Sequence, residues 1–142
     1  MAVDYGQNIV DVYTNVDVNL NLPAATPNTN GTSYDIGDNT NPQAVAIRVY
    51  ITILNPAGGP ADGYDIDIRI QWSRDDATWP DAGMGHPQGN WNSAVVGAGI
   101  ARSQIIDIPV KDRYGRLQID NNNPVDNLTF NSFIKIVRMQ AG

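Results

Sequence analysis

Two carboxylates spaced two residues apart, Asp65 and Asp67, are the groups whose types and spacing most directly suggest chemistry. Residues two apart in an extended strand point to the same face, so this pair could act in acid–base hydrolysis or ligate calcium. The competing interpretation is a solvated strand face with Arg69 beside it. A glycosidase acid needs a pKa raised in a cleft, and an exposed strand gives no reason for that shift. We favour the solvated face.

A glycine-rich loop carries three further candidates, Met84, His86 and Trp91. A tryptophan can stack on a sugar whose hydroxyls a histidine binds, and tryptophan and methionine are enriched where proteins dock onto each other. A structural interpretation, in which Trp91 folds back to cap the core, is equally open. An oxygen-rich segment, Asp35–Asn41, offers ligands for calcium, but its spacing does not match an EF-hand loop, and Asx turns explain the same residues.

Enzymatic chemistry has no further support in the sequence. His86 is the only histidine and there is no cysteine, which excludes a multi-histidine metal site and thiol catalysis. No serine lies in a G-x-S-x-G context, and nothing positions His86 for a Ser–His–Asp triad. We predict a non-enzymatic protein with no catalytic residue, no metal site and no cofactor.

Length and charge narrow the class of partner. The 142 residues carry a net charge of −6, with no basic stripe to neutralise phosphates, so we expect no nucleic-acid partner. No apolar run reaches membrane-spanning length, so we expect no membrane partner. The start, MAVDYGQN, lacks the features of a signal peptide, and we expect the chain to be used without Sec export. We predict an N-terminal arm over residues 1–9 and a single β-sandwich domain over residues 10–142.

The elements that must position these candidates are strands. Apolar and polar residues alternate with period two, as in strands with one buried and one wet face. The segments with this pattern are Val10–Leu22, Val45–Leu54, Tyr64–Trp72, Gln104–Val110, Tyr114–Asp120 and Leu128–Met139. We add a small-residue strand over Ala94–Ala101 and a short edge strand over Tyr34–Ile36. A bulge or a bend is expected near Thr14–Asn15, a bulge or two-sided burial is expected near Ile136, where Val137 and Met139 break the phase, and Pro109 predicts a strand end or an edge.

Two segments, Pro23–Pro42 and Pro80–Asn92, are rich in turn-forming residues and are predicted to be mostly loop. Loops of this length inside a compact domain are often functional. Roughly eight or nine strands without a convincing helix predict an all-β, antiparallel β-sandwich. A jelly roll is the favoured arrangement, and an immunoglobulin-like strand order is the alternative.

Two segments resemble a known family. The run from Trp72 to Trp79, WSRDDATW, resembles the W-S-x-D-G-x-T-W hairpin of many small β-sandwich proteins, including phage head-decoration and other virion proteins. The chain departs from the pattern at Asp76, where glycine is usual, and aspartate tolerates a positive φ better than most residues. The carboxy-terminal run, YGRLQIDNNNPVDNLTFNSFIKIVR, is similar to the last two strands of those proteins.

The resemblance implies a phage capsid decoration, or cement, protein. Such a protein would be a homotrimer on the capsid surface of the virion, assembled in the host cytoplasm, and would bind the major capsid protein. We predict the contacts in the arm and the two long loops, at Val3, Tyr5, Ile9, Tyr34, Met84, His86 and Trp91. The alternative is a carbohydrate- or receptor-binding module of a tail fibre or adhesin, with Trp91, Trp79 and Tyr64 as its platform.

Overall fold

The computed structural model describes residues 8–9, 14–37, 43–54, 65–92 and 101–139. All regular elements in these ranges are strands: β1 (Asn8–Ile9), β2 (Thr14–Leu22), β3 (Thr26–Asn30), β4 (Tyr34–Asp35), β5 (Gln43–Leu54), β6 (Asp65–Ser73), β7 (His86–Asn92), β8 (Ala101–Pro109), β9 (Tyr114–Asn121) and β10 (Leu128–Met139). The described residues contain no helix that could span a membrane. The all-β prediction is confirmed.

The strands form two antiparallel sheets. Sheet A has the order β1-β10-β5-β8, and β2 also pairs with β10. Sheet B has the order β3-β9-β6-β7, and β4 also pairs with β9. After β2 the chain crosses from one sheet to the other at every connection except β3–β4 and β6–β7, and the first two strands both pair with the last strand, β10. This order is that of a jelly roll and not of an immunoglobulin domain, which decides between the two predicted arrangements.

The core lies between the inner faces of β5, β6, β9 and β10. In β6 the side chains of Ile66, Ile68 and Ile70 are buried, as the alternation predicts. The corresponding buried residues of the other three strands are Ile47, Val49, Ile51, Ile53, Leu117, Ile119, Leu128, Phe130 and Ile134. Burial of these isoleucines and leucines is the main driving force, at about 1.5–3 kcal/mol for each fully buried side chain.

A bulge in β2 reverses which residues face the core. The pairing with β10 skips register between Phe130 and Phe133, so extra residues are accommodated in β2, and Asn19 takes a φ of 51°. As a result Asp17 is buried while Val18 is 62% exposed. The predicted strand is confirmed, but the prediction that all its even positions face the core is wrong at Val18.

The remaining irregularities lie close to where the sequence places them. The β5–β10 register shifts between Val137 and Arg138, one residue from the predicted bulge at Ile136. The extra residue is Val45 of β5, which lies between Ala44 and Ala46 in that register. Strand β8 ends at Pro109 and forms an edge of sheet A, as predicted.

The two segments predicted to be mostly loop contain strands. Residues 23–42 include β3 and β4, and residues 80–92 include β7. Strands β3 and β7 read TPNTN and HPQGNWN, so they lack the apolar alternation that marks a strand in sequence. They are edge strands held by backbone pairing to β9 and β6 and do not depend on an apolar face. Most of the predicted strand Ala94–Ala101 lies outside the described residues.

The corner that follows β6 contains a residue in a left-handed backbone conformation. Asp76 has a φ of 61°, the left-handed region in which glycine is usual. Asp75 accepts hydrogen bonds from the backbone N–H groups of Ala77 and Thr78, at 3.0 and 2.8 Å. Backbone bonding to its carboxylate, from Thr78 first and then Ala77, lowers the pKa of Asp75 to about 2.

The segment after the corner is hydrogen-bonded to the outer face of sheet B through residues 81 and 84. Gln71 is fully buried, and its amide N–H group donates to the carbonyl of Met84 at 2.7 Å. Arg116 donates to the Gln71 carbonyl oxygen at 3.0 Å and lies 4.4 Å from the ring centre of Trp79. The face of β6 that the sequence assigns to solvent is therefore covered here by residues 74–85.

Candidate protein-binding face and the predicted contact residues

The outer face of sheet A carries three cross-strand rows with distinct chemistry, and we name it the sheet A face. It is built by the residues of β8, β5 and β10 that alternate with the core residues. The rows are Ile105–Tyr50–Phe133, then Asp107–Arg48–Lys135, then Pro109–Ala46–Val137. Two of these three rows are apolar or aromatic, and the next row of the same outer face, Ser103–Thr52–Asn131, is polar.

The first row is the most apolar part of this face. Ile105 is 56% exposed. Beside it, Tyr50 and Phe133 are half-buried and their ring centres lie 5.9 Å apart, with the planes inclined by 54°. Tilted aromatic pairs stabilise a sheet and present a firm surface of two rings with few rotatable bonds. A partner could therefore bury these rings with little loss of side-chain entropy.

The middle row is charged. Arg48 donates to Asp107 with an Nε to Oδ1 distance of 2.8 Å. The hydrogen bond from Arg48 lowers the pKa of Asp107 despite the opposing effect of desolvation. Because both side chains are substantially exposed, the pair contributes about 1 kcal/mol or less to stability. The Arg48–Asp107 pair places charge between the two apolar rows of the sheet A face.

The third row joins the arm. Ile9 of β1 pairs with Val137, which pairs with Ala46, which pairs with Pro109. Strand β1 follows residues 1–7 of the predicted arm directly in sequence. Of the predicted arm contacts, Ile9 is placed beside the sheet A face, whereas Val3 and Tyr5 lie outside the described residues.

Tyr34 belongs to the core and not to an exposed surface. Its side chain is 9% exposed, and its buried hydroxyl group has no hydrogen-bond partner among the described residues. Desolvation, and secondly the charge of nearby Asp17, raises the pKa of Tyr34 far above its ordinary value. Tyr34 therefore offers little area to a partner, and the prediction that it is a contact residue has no support in its position.

The three predicted residues of the glycine-rich loop are separated. Met84 is 62% exposed on the segment held by Gln71. His86 begins β7 opposite Ile70, and the backbone of Trp91 lies near the other end of β7, opposite Ile66. Their partners on β6 are four residues apart, so at about 3.3 Å per residue His86 and Trp91 are about 13 Å apart along the strand. They do not form one compact site with Met84.

The carboxylates considered for chemistry have structural partners. Asp67 accepts a hydrogen bond from Asn122 at 3.2 Å. Asp35 is paired with Arg113 at 3.0 Å and accepts from the N–H of Gly37, which completes an Asx turn. The hydrogen bond from Arg113 is the main cause that lowers the pKa of Asp35. In the part of the chain that the structure describes, no three acidic or histidine side chains cluster where they could hold a metal ion.

The sheet A face is absent from the sequence-based candidates, although a signal for it exists. Tyr50, Ile105 and Phe133 are large apolar residues at positions that the alternation assigns to solvent. Val137 breaks the phase of β10 in the same way, and two-sided burial was one interpretation of that break. Apolar residues on both faces of adjacent strands would indicate such a face. Which strands are adjacent is known only from the strand order in the structure.

Comparison with known proteins adds little to this description. No protein-family model matches the chain. No curated protein matches it. Among solved structures, the chain is similar to the CBM36-1 domain of a multidomain xylanase from the hindgut metagenome of Trinervitermes trinervoides, with 12% identity over 93% of this chain and 88% of that chain and a TM-score of 0.45. At this identity and TM-score the structural similarity is too low to support an inference about this chain. The fold is therefore assigned from the strand order.

Proposed function

We propose that this protein is a non-enzymatic structural protein of a phage virion, which decorates the capsid and stabilises it by bridging neighbouring major capsid subunits. The observation that carries the proposal is the sheet A face, where two apolar rows flank one charged row beside the arm. Aromatic and large aliphatic side chains are the groups that dominate the energy of protein interfaces.

The resemblance of the Trp72–Trp79 corner to virion proteins supports the same function. The net charge of −6 fits a protein that stays soluble until it meets its partner and that does not bind nucleic acid. In this proposal the protein is a homotrimer on the capsid surface, seated where capsid subunits meet. The major capsid protein contacts the sheet A face and the arm, with Ile9 at their junction.

Stabilisation follows from mass action. A protein that binds the expanded shell and not its dissociated subunits lowers the free energy of the shell. The size of this effect grows with the ratio of the free protein concentration to its Kd for the shell. Three linked copies convert weak single contacts into tight attachment, because the second and third contacts form at high effective concentration. Moderate apolar area on each copy is then sufficient.

The test uses expanded capsids of the same phage prepared without this protein. Adding the purified protein should raise the midpoint of capsid heat disruption, measured by calorimetry or by release of packaged DNA, and sedimentation equilibrium should show a trimer before addition. Val125→Asp is the control variant, since Val125 is 79% exposed in the β9–β10 connection, away from the sheet A face. If the wild-type protein leaves the disruption temperature unchanged, the proposed function is wrong.

A further inference from the structure

The bulge in β2 buries an aspartate and exposes the valine that follows it. Asp17 is 2% exposed, whereas Val18 is 62% exposed. In the pairing with β10, Val18 and Asn19 together lie opposite the single residue Asn131. Neighbouring strand residues point to opposite faces, so Val18 points outward while Asp17 points into the sandwich beside the buried Ser132. Val18 therefore lies on the outer face of sheet A.

The inward position of Asp17 is held by a specific set of hydrogen bonds. Its carboxylate accepts from the backbone N–H of Thr32 at 2.7 Å and from the hydroxyl group of Ser132 at 2.8 Å. Its own backbone N–H donates to Ser132 Oγ at 3.2 Å. A Cβ built on Gly31 would lie 2.8 Å from Asp17 Oδ2, so the carboxylate uses space that only a glycine leaves open. The bulge is therefore a built feature of β2.

Exposing a valine while burying a carboxylate runs against the usual order of burial. Among the described residues no cation forms an ion pair with Asp17, so its burial is stabilised by hydrogen bonds alone. Bulges commonly re-aim a side chain beside a functional site, and departures from the ordinary pattern are expected at such sites. This departure indicates that the outward position of Val18 has a use.

Val18 extends the first apolar row of the sheet A face onto a fourth strand. That row runs across β8, β5 and β10 through Ile105, Tyr50 and Phe133. Val18 of β2 lies opposite Asn131, two residues from Phe133 along β10. We name Ile105, Tyr50, Phe133 and Val18 the apolar strip. Three strand spacings of about 4.8 Å give it a length of about 14 Å.

The two sides of the apolar strip differ in charge. On one side, about 6.6 Å away, the charged row holds Arg48 and Lys135 with one carboxylate, Asp107. This row is net positive in a chain whose net charge is −6. On the other side the row that runs through Thr52 is polar and neutral. A segment that covers the strip would thus meet positive charge along one side only.

We propose that the apolar strip docks one amphipathic helix of the major capsid protein, with an apolar stripe and acidic residues along one flank; this rests on the proposed capsid binding. At 1.5 Å per residue, a length of about 14 Å corresponds to about nine helical residues, which present apolar side chains at i, i+3 or i+4, and i+7. The acidic flank faces Arg48 and Lys135, and this complementarity rejects a helix with a basic flank.

Two exposed valines give a matched pair of variants for the first experiment. Val18→Asp and Val125→Asp each add one negative charge at an exposed valine, on the strip and in the β9–β10 connection. In co-sedimentation with expanded capsids that lack this protein, Val18→Asp should weaken binding by about tenfold or more, and Val125→Asp should bind like wild type. Wild-type affinity of Val18→Asp would overturn the strip and leave capsid decoration standing.

Failure of the wild-type protein to bind capsids would instead contradict the proposed function, and the strip is then judged by a titration that needs no capsid. The probes are two side-chain-crosslinked helical peptides of about 14 residues with the same leucine stripe. One carries glutamates along one flank, and the other carries lysines at the same positions. The full-length protein has ¹³C-methyl labels on valine and on its two lysines, Lys111 and Lys135.

The acidic peptide should give saturable NMR shifts at Val18 and Lys135, with Val125 and Lys111 unmoved, and should bind at least about fivefold more tightly than the basic peptide. Because the chain has a net charge of −6, overall charge alone would favour the basic peptide, so the expected preference is opposite to that of non-specific attraction. Tighter or equal binding of the basic peptide, or no saturable shift at Val18, would overturn the proposal.

Discussion

Arg69 of β6 and Asp120 of β9 form a bidentate ion pair across the outer face of sheet B, and each side chain is only 14% exposed. Asp120 also accepts from the backbone N–H of Asn28 at 2.6 Å, so the pair links β3, β9 and β6. Desolvation alone would raise the pKa of Asp120, but the hydrogen bonds from Arg69 and Asn28 outweigh it, and the pKa is lowered. This pair differs in kind from the exposed pair of Arg48 and Asp107.

Asp120→Ala should destabilise the protein by about 2–4 kcal/mol, because it removes the carboxylate partner of a largely buried guanidinium group and the acceptor of the Asn28 backbone N–H. Asp107→Ala is the matched control, since it removes the same group from an exposed pair, and should cost about 1 kcal/mol or less. Urea unfolding of both variants measures the difference. Equal losses would show that Asp120 has no special structural role.

Tyr34→Phe should stabilise the protein by about 1 kcal/mol. The substitution removes a buried hydroxyl group for which the described part of the chain supplies no partner, and it keeps the ring that packs near Gly115. Tyr50→Phe, on the sheet A face, is the control and should bring no gain, because that residue already has an interaction to lose. Thermal unfolding compares the two variants, and a loss of stability in Tyr34→Phe would mean that the hydroxyl group is satisfied in solution.

Gly115→Ala should destabilise the protein by about 1–3 kcal/mol through overpacking. The added Cβ would lie 2.9 Å from Tyr34 Cε2 and 3.1 Å from Trp72 Cζ3, both in stiff aromatic rings. Combining it with Tyr34→Leu, which removes the nearest ring, should recover part of the loss. A double-mutant cycle in urea tests this coupling, and strictly additive losses would contradict the contact.

Asp75→Asn should lower stability at neutral pH and have a diminishing effect as the pH falls. Asp75 has its pKa lowered from 3.8 to about 2 by the backbone bonds of the corner, so its contribution is fully present above the unfolded pKa and is lost as pH falls through the folded one. Unfolding midpoints between pH 7 and about pH 2 measure the difference from wild type.

Asp81→Asn is the matched control for this series, because the described residues donate no hydrogen bond to the Asp81 carboxylate. It should give a small difference from wild type at every pH. A difference for Asp75→Asn that stays constant down to acid pH would mean that the charge on Asp75 makes no contribution to the corner.

The alternation of apolar residues was sufficient to predict the central strands. From Ile47 to Ile53 in β5 and from Ile66 to Ile70 in β6 every second residue is buried, so a single phase describes each of these segments. The method failed in two ways that have physical causes. Strands β3 and β7 have no apolar face and are invisible to periodicity, and the bulge at Asn19 shifts the phase of β2 so that Asp17 faces inward.

The candidate site was harder to predict than the fold. The sequence favoured loops and the arm, because loops often carry function. The sheet A face is formed by residues from strands that are distant in sequence, such as Tyr50 and Phe133, and their proximity follows only from the jelly-roll order. The sequence analysis treated the glycine-rich loop as one site. In the structure part of this segment forms β7, and the extended strand separates His86 from Trp91.

The most direct test of the proposed function is co-sedimentation of the protein with expanded capsids that lack it, using three single substitutions that each add one negative charge at an exposed apolar residue. They are Ile105→Asp on the sheet A face, Met84→Asp on the predicted contact loop and Val125→Asp in the β9–β10 connection. We expect wild type and Val125→Asp to sediment with the shells and Ile105→Asp to remain in solution. Binding of Ile105→Asp at the wild-type level would contradict the sheet A face as the docking surface, and failure of the wild-type protein to bind would contradict capsid decoration itself.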